Sequence, residues 1–201
     1  GPVDKHLPGI RTIEMDILTH GITGVLVSRA LPSGSKGSTM MAGLIGALAP
    51  DLDIVARLWD PMAAVTVHRT ATHSFLGGGI VAFIVVGLVW GVSRENFLRL
   101  YGVVYLGVLS HIGLDLLPAF GTAILWPLTH RRFALAQHYL IDPIFSTLAV
   151  AFLIASFRLK EKRTLLAKIG IAGILLYVFI TAAHQKVVSA RWQGIMESQR
   201  I

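Results

Sequence analysis

Six apolar stretches, separated by short polar turns, make up most of this chain and set the strongest limit on how it can fold. They lie at about 17–31, 38–50, 73–92, 97–117, 139–157 and 165–183. Four of them approach the roughly 20 residues that an α-helix needs to cross a bilayer, whereas the first two are short. The pattern predicts an all-α fold, a polytopic membrane helix bundle of about six segments.

The charge content agrees with a membrane protein. Charged residues make up 14% of the 201 residues, compared with about 25% in an average soluble domain. The net charge of +7 comes from basic residues in short runs between the apolar stretches, and such runs orient membrane proteins. We therefore expect a membrane environment and no nucleic-acid partner. Because the chain has no cysteine, a bound metal would need His, Asp or Glu ligands.

The chain is expected to form one domain. Residues 1–14 begin with Gly-Pro, which resembles a protease scar, and we interpret them as the remnant of an expression tag. Residues 15–201 contain no repeat or linker and are predicted to be a single membrane-embedded helical domain. The segment 119–135 is interrupted by Gly121, Pro127 and two arginines, so it predicts a re-entrant or interfacial loop.

Basic residues also predict the orientation of the bundle. The loops at 29–36, 93–99 and 158–163 carry eight Lys or Arg residues, whereas those at 51–69 and 119–138 carry four. The positive-inside rule places the first group of loops in the cytoplasm and the second group outside.

Ionisable side chains gather at the segment ends that face this predicted outer side. Three carboxylate–histidine pairs are spaced four residues apart, which places both members on one face of a helix: Asp16 with His20, His111 with Asp115, and His138 with Asp142. Charged groups near a membrane are costly unless they are paired or hydrated, and they commonly mark functional sites. The candidate metal ligands are His20, Asp51, Asp53, His68, His73, His111, Asp115 and His138.

Simpler interpretations exist for individual members of this set. One His-x-x-x-Asp pair is often an ordinary hydrogen-bonded couple, and Asp51 and Asp53 follow Pro50 as capping or turn residues commonly do. The convergence of the whole set on one face favours a metal site. A His/Asp cluster without cysteine suits Zn²⁺, and also Mn²⁺ or Fe²⁺.

Four sequence blocks resemble the bacterial inner-membrane metal-dependent hydrolase family. They are Asp16-x-x-Thr19-His20, Pro50-Asp51-x-Asp53, His68-Arg69-x-x-Thr72-His73-Ser74, and Ser110-His111-x-x-x-Asp115. The resemblance extends from Met15 to about Pro143, and the block that begins at His68 is its most specific part. It implies a hydrolase of the bacterial inner (plasma) membrane with a metal bound by these His and Asp residues, and it names no substrate.

A weaker likeness connects the chain to the zinc-dependent phospholipase C and nuclease P1 enzymes. Those enzymes also use His-x-x-x-Asp and His-x-x-x-Glu pairs, which His111 with Asp115 and His138 with Asp142 resemble. This chain lacks their N-terminal Trp ligand and has Asp in place of the expected Glu in the second pair.

These features predict a metal-dependent hydrolase, specifically a phosphoric ester hydrolase, that cleaves a phosphoester or pyrophosphate of a lipid or lipid-linked substrate. The multi-pass chain would present its active site to the periplasm or exterior, with two bound divalent ions, zinc being favoured over manganese or iron. Asp142 or Asp51 would act as general base, and Arg69 would neutralise developing negative charge.

The alternative is a divalent-cation or proton-coupled transporter that uses the same cluster. Transport needs access from both faces, and the predicted cytoplasmic side has no acidic or histidine path, so the enzyme is favoured. Serine hydrolysis by Ser74 or Ser110 is disfavoured because the chain has no Gly-x-Ser-x-Gly motif. An intramembrane zinc protease is disfavoured because His-Glu-x-x-His is absent.

Overall fold

The computed structural model describes residues 14–34, 36–58, 69–93, 95–119, 121–135 and 143–198. Six α-helices follow one another in these ranges: α1 (Glu14–Arg29), α2 (Gly37–Leu48), α3 (Phe75–Ser93), α4 (Phe97–Asp115), α5 (Pro143–Arg158) and α6 (Arg163–Ser198). Short 3-10 segments follow α2 at Ala49–Leu58 and α5 at Lys160–Lys162. Each α-helix coincides with one predicted apolar stretch, which confirms the all-α expectation.

Helix length does not confirm a bundle of six membrane spans. Within the described residues, two helical stretches are long and apolar enough to cross a bilayer, Phe97–Asp115 and Lys160–Ser198. Phe75–Gly91 and Pro143–Arg158 are apolar but shorter. The last helix continues well past the predicted end at residue 183 because the following residues include good helix formers such as Gln185 and Lys186.

The outer surface of the bundle carries many large apolar side chains. Leu88, Leu98 and Phe179 are 78%, 76% and 70% exposed. Soluble monomers rarely expose large contiguous apolar patches, whereas the hydrocarbon region of a bilayer accommodates such side chains without cost. This surface agrees with a membrane location.

Glycines bring α1, α2 and α4 into close contact. A Cβ added to Gly46 of α2 would collide with the carbonyl oxygen of Val104 in α4, and one added to Gly43 would lie 2.6 Å from the carbonyl oxygen of Gly24 in α1. Small residues of this kind let helix backbones approach one another closely in membrane proteins. The packing holds α1, α2 and α4 in one fixed arrangement.

The turns that follow α1 and α3 meet at one end of the bundle. Nζ of Lys36 lies 3.7 Å from Oε1 of Glu95, and the hydroxyl of Ser38 donates to the same oxygen at 3.0 Å. Arg29, at the end of α1, contacts Ser156 near the end of α5. These contacts agree with the predicted placement of the three basic loops on one side.

Residues 121–135 form a small hairpin at the other end. The N–H groups of Thr122 and Phe133 each donate to the carbonyl oxygen of the other residue at 2.9 Å. The N–H of Phe75, at the start of α3, donates to the carbonyl of Ile124 at 3.0 Å. The segment predicted as a re-entrant or interfacial loop is therefore a hairpin whose backbone bonds partly to itself and partly to α3, and its position relative to a membrane stays a prediction.

Candidate metal centre

Four elements bring ionisable side chains together at the hairpin end of the bundle. The contributing side chains are His20 from α1, Asp51 and Asp53 from the first 3-10 segment, Arg69 and His73 from the loop before α3, and His111 and Asp115 from α4. His73 and His111 are completely buried, and the side chain of Asp115 is 3% exposed. Asp51 is more open, with a side chain that is 25% exposed.

A backbone carbonyl determines the tautomer of His111. Nδ1 of His111 lies 2.7 Å from the carbonyl oxygen of Ala47. A carbonyl can only accept, so Nδ1 carries the hydrogen and Nε2 of the neutral ring presents a lone pair. Ala47 lies in the last turn of α2, where carbonyls lack helical partners, and Pro50, three residues later, has no N–H to donate.

The tautomer of His73 follows from a short hydrogen-bond chain. The hydroxyl of Thr72 donates to Oδ2 of Asp53 at 2.7 Å, and its oxygen lies 2.9 Å from Nδ1 of His73. The one hydroxyl hydrogen is already used, so Nδ1 of His73 donates and Nε2 again presents a lone pair. Oδ2 of Asp53 also lies 3.5 Å from this Nδ1. The sequence predicted Asp53 as a metal ligand, whereas the structure places it behind the ring of His73.

Three donor atoms that lack hydrogens therefore face one another. The Nε2 atoms of His73 and His111 are 3.1 Å apart, and Oδ2 of Asp115 lies 3.2 Å from the first and 3.3 Å from the second. Oδ2 of Asp115 is buried and has no hydrogen-bond donor in the described part of the chain. Zinc bonds of about 2.0 Å in tetrahedral geometry separate two ligand atoms by about 3.3 Å. The donor set fits a divalent cation.

Asp51 extends this donor set toward solvent. Its Oδ1 lies 3.4 Å from Nε2 of His73 and 3.5 Å from Nε2 of His111. Burial alone would raise the pKa of Asp51, but the polar contact with His73 and the neighbouring imidazoles outweigh burial and lower it. Burial lowers the pKa of His73 and favours its neutral form, which is the form that binds metals.

His20 provides a second group of donors on the other side of His111. Its ring stacks on the His111 ring with centroids 3.9 Å apart, and its Nε2 lies 3.8 Å from Oδ1 of Asp115. His20, His111 and Asp115 form one group that could hold an ion, and Asp51, His73 and His111 form another. Both groups need Nε2 of His111, because its Nδ1 is bonded to a carbonyl.

Arg69 supplies a positive charge beside these carboxylates. Its Nη2 lies 3.0 Å from Oδ1 of Asp115, and the residue is 8% exposed. The backbone of Arg69 has a φ of 63°, and its carbonyl accepts from the N–H of Ala123 in the hairpin at 3.0 Å. A left-handed backbone at a residue other than glycine is costly, and such residues cluster at functional sites. With neutral imidazoles, the three carboxylates and the single guanidinium give the site a net negative charge. A divalent cation can balance this charge.

The sequence predictions for this site have different outcomes. The structure brings together His20, Asp51, Arg69, His73, His111 and Asp115, with Asp53 directly behind. His68, His138 and Asp142 lie outside the described residues. Sequence reasoning missed the carbonyl of Ala47 and the hydroxyl of Thr72; the signals were the Pro50 that follows and the position of Thr72 beside His73.

A comparison with known protein families gives a match over most of the chain. The family described as YdjM inner membrane protein matches residues 15–187. The chain belongs to the YdjM inner membrane protein family. The YdjM family is the membrane-bound metal-dependent hydrolase family, which confirms the resemblance carried by the four blocks. Membership of the YdjM family, together with the apolar helices, identifies an inner membrane protein. The likeness to nuclease P1 receives no support from these comparisons.

A relative and the solved structures add little about function. YfhP of Bacillus subtilis (strain 168), an uncharacterized protein, is 29% identical over 107 residues. That stretch covers 53% of this YdjM-family chain and 33% of YfhP, so it spans about a third of the relative's length. No solved structure matches the chain.

Proposed function

We propose that this protein is a membrane-embedded metal-dependent hydrolase that cleaves a phosphoester or pyrophosphate of a lipid or lipid-linked substrate. The observation that carries the proposal is the convergence of Nε2 of His73, Nε2 of His111 and Oδ2 of Asp115 within 3.1–3.3 Å of one another. Zinc is the favoured ion for this donor set, with manganese or iron as alternatives.

The protein's own groups orient the ligands and balance charge. When bound, a divalent cation lowers the pKa of a coordinated water to about 7 and polarises a phosphoryl oxygen. The Ala47 carbonyl and the Thr72–Asp53 pair hold both imidazoles with Nε2 pointing inward, and such supporting contacts keep ligand geometry fixed. The guanidinium of Arg69 stabilises negative charge on the phosphoryl group.

Asp51 is the general base that we favour. Its Oδ1 is within 3.5 Å of both imidazole nitrogens, and its side chain is open enough for water to reach it. A carboxylate is ionised at neutral pH, so Oδ1 can accept a proton from an attacking water. Asp142, the other carboxylate considered for this role, lies outside the described residues.

Two ions remain our proposal for the complete site. The described residues provide three donors for one ion, Nε2 of His73, Nε2 of His111 and Oδ2 of Asp115, and this set does not use Oδ1 of Asp51. Nε2 of His20 and Oδ1 of Asp115 lie beside it. A second ion at His20 would need further ligands, for which His68, His138 and Asp142 are the candidates.

We also propose that the chain crosses the membrane several times with the site facing the periplasm or exterior. The support is the position of the site at the end of the bundle opposite the basic turns around Lys36 and Glu95. A site at a bilayer surface meets lipids directly, which favours a lipid or lipid-linked substrate.

Elemental analysis of detergent-purified protein tests this proposal. We expect one or two equivalents of zinc, manganese or iron in the wild type and in His184→Ala, a matched histidine control exposed on α6. The double variant His111→Ala, Asp115→Ala should contain none. Phospholipids and lipid pyrophosphates are then screened for phosphate release with and without a chelator. Hydrolysis that persists in the metal-free variant would overturn the mechanism, and metal flux into liposomes without hydrolysis would favour a transporter.

A further inference from the structure

An apolar cavity of about 350 Å³ lies between α1, α4, α5 and α6. Its lining includes Val27, Leu114, Phe145 and Ile174. At roughly 30 Å³ for a group the size of a water molecule, the cavity has room for roughly a dozen methylene groups. Leu175 contributes to the lining and is 63% exposed, so the cavity reaches the outer, lipid-facing surface of the bundle.

The two hydroxyl groups in the lining do not make the cavity polar. The hydroxyl of Thr23 donates to the carbonyl of Thr19 at 2.8 Å, and that of Ser110 donates to the carbonyl of Gly107 at 2.7 Å. Both hydrogens are used within their own helices, so each hydroxyl can only accept from a water molecule, and the two oxygens provide fewer partners than the roughly three that a buried water typically has. An apolar cavity of this kind stays dry and takes apolar ligands.

The cavity lies beside the candidate metal centre. Thr23 is one helical turn beyond His20 on α1, and the lining residues of α4 occupy the same two turns as His111 and Asp115. A lipid whose phosphate reached the metal centre would therefore have its hydrocarbon chain next to this opening.

We propose that this cavity binds one acyl chain of the lipid substrate while the phosphate-bearing headgroup occupies the metal centre. The inference rests on the proposed hydrolase function and names the part of the substrate that gives selectivity. Selectivity comes from the fit of the chain to the cavity, because a chain that is already in the bilayer gains no hydrophobic free energy on entering another apolar environment.

Gly113 offers a way to close the cavity without disturbing the helix packing. It lines the cavity, and a Cβ added there would meet no atom within 4 Å. Gly102 on the same helix also has open space around its Cβ position but is not part of the lining. Gly113→Phe therefore fills the cavity, and Gly102→Phe is its matched control.

The first experiment uses photocrosslinking in nanodiscs with a phosphatidylglycerol that carries a diazirine in its acyl chain. Ile174 lines the cavity and is 7% exposed, whereas Phe179 on the same helix is 70% exposed and does not line it. We expect labelling at both positions in the wild type. Gly113→Phe should lower labelling of Ile174 at least fivefold relative to Phe179, and Gly102→Phe should leave the ratio unchanged.

Leu175→Trp provides a second test that does not depend on Gly113. Leu175 is an exposed residue at the opening of the cavity. Bound zinc, measured in each variant, reports that the fold is intact. Unchanged labelling of Ile174 in both Gly113→Phe and Leu175→Trp would overturn the cavity assignment.

The second experiment links the cavity to the metal centre with dodecyl phosphate, which combines a phosphate group with a twelve-carbon chain. In the zinc-loaded wild type it should displace the Ile174 label at a concentration at least tenfold lower than in His111→Ala. Equal concentrations would overturn the role of the cavity in holding the substrate chain. If no lipid is hydrolysed but both labelling results hold, the hydrolase proposal fails while the chain-binding site stands.

Discussion

The Nε2 atoms of His73 and His111 are only 3.1 Å apart, and the partners of the two Nδ1 atoms assign the hydrogen of each neutral ring to the opposite nitrogen. Ala47 fixes one ring and Thr72 fixes the other, so neither Nε2 can donate to its neighbour. Two acceptors at this distance repel each other unless a cation lies among them. A bound cation should therefore stabilise the folded protein, and this effect can be measured.

Metal removal should lower the thermal stability of the protein. Chelation leaves the lone pairs of His73, His111 and Asp115 buried without a cation, whereas zinc at a thousand times its Kd stabilises the folded state by about 4 kcal/mol. We expect a fall in Tm of several degrees on chelation and recovery when zinc is returned, followed by tryptophan fluorescence in detergent. The same Tm with and without zinc would contradict this prediction.

Asp53→Asn should weaken metal binding although Asp53 lies behind the ring of His73. The substitution removes the carboxylate that accepts from Thr72 and faces Nδ1 of His73, and loss of such supporting groups costs about 10–100-fold in metal affinity. Competition with a coloured zinc chelator measures the change. Thr72→Val should have an effect of similar size, and Thr72→Ser, which keeps the hydroxyl, should retain the wild-type affinity.

Arg69 should affect turnover more than metal content. Its guanidinium contacts Oδ1 of Asp115, whereas the ligand atom proposed for the ion at His73 and His111 is Oδ2. Loss of one group that stabilises transition-state charge costs about 10²–10³ in kcat, so we expect this loss in Arg69→Ala with zinc still bound. Arg69→Lys should recover part of the activity because it keeps the charge but not the planar fork. A normal kcat in Arg69→Ala would exclude the proposed role.

Arg29→Ala should destabilise the fold without changing zinc affinity. Nε of Arg29 donates to the Ser156 hydroxyl at 2.7 Å, and its guanidinium lies 3.8 Å from the centre of the Phe157 ring. Hydrogen bonds of a charged group contribute about 1.5–3 kcal/mol each, so the free energy of unfolding should fall by at least about 2 kcal/mol. Arg99→Ala is the control, because that arginine side chain is 41% exposed. A zinc affinity that falls with Arg29→Ala would show that the two ends are coupled.

Gly46→Ala should weaken metal binding through helix packing alone. The added methyl group would collide with the backbone of Val104 in α4, and the neighbouring carbonyl of Ala47 would then move relative to His111. We expect weaker zinc binding in the same chelator competition, whereas Gly102→Ala, with open space around it, should bind zinc as the wild type does. Equal affinities in the two variants would show that the Ala47–His111 contact tolerates a shift of the helices.

Periodicity and spacing predicted much of this arrangement. The apolar stretches gave the six helices, and the four-residue spacing of His111 and Asp115 placed both on one face of α4, because these are properties of a single helix. The different positions of Asp51 and Asp53 could not be predicted. They lie two residues apart in one 3-10 segment, and only the approach of His73 places one near its Nε2 and the other near its Nδ1.

The hairpin over residues 121–135 was also beyond sequence reasoning. Its position depends on backbone hydrogen bonds with partners far away in the chain, such as Ala123 with Arg69 and Ile124 with Phe75. Every residue except proline has the same backbone N–H and C=O groups, so no side-chain pattern marks these pairings. The length of α6 was underestimated for another reason: the helix continues to Ser198 through a mixed polar and apolar stretch with good helix formers such as Gln185, and the end of an apolar run does not mark the end of a helix.

The carbonyl of Ala47 limits how mutations can alter this site during evolution. It is a main-chain oxygen, so no substitution at position 47 deletes it, and an alanine scan passes over it without effect. Selection can act on it only through residues that set the distance between α2 and α4, such as Gly46. Gly46, which has no side chain, thus influences the hydrogen bond that sets the basicity of His111. A survey of mutations at the ligand residues alone would omit it.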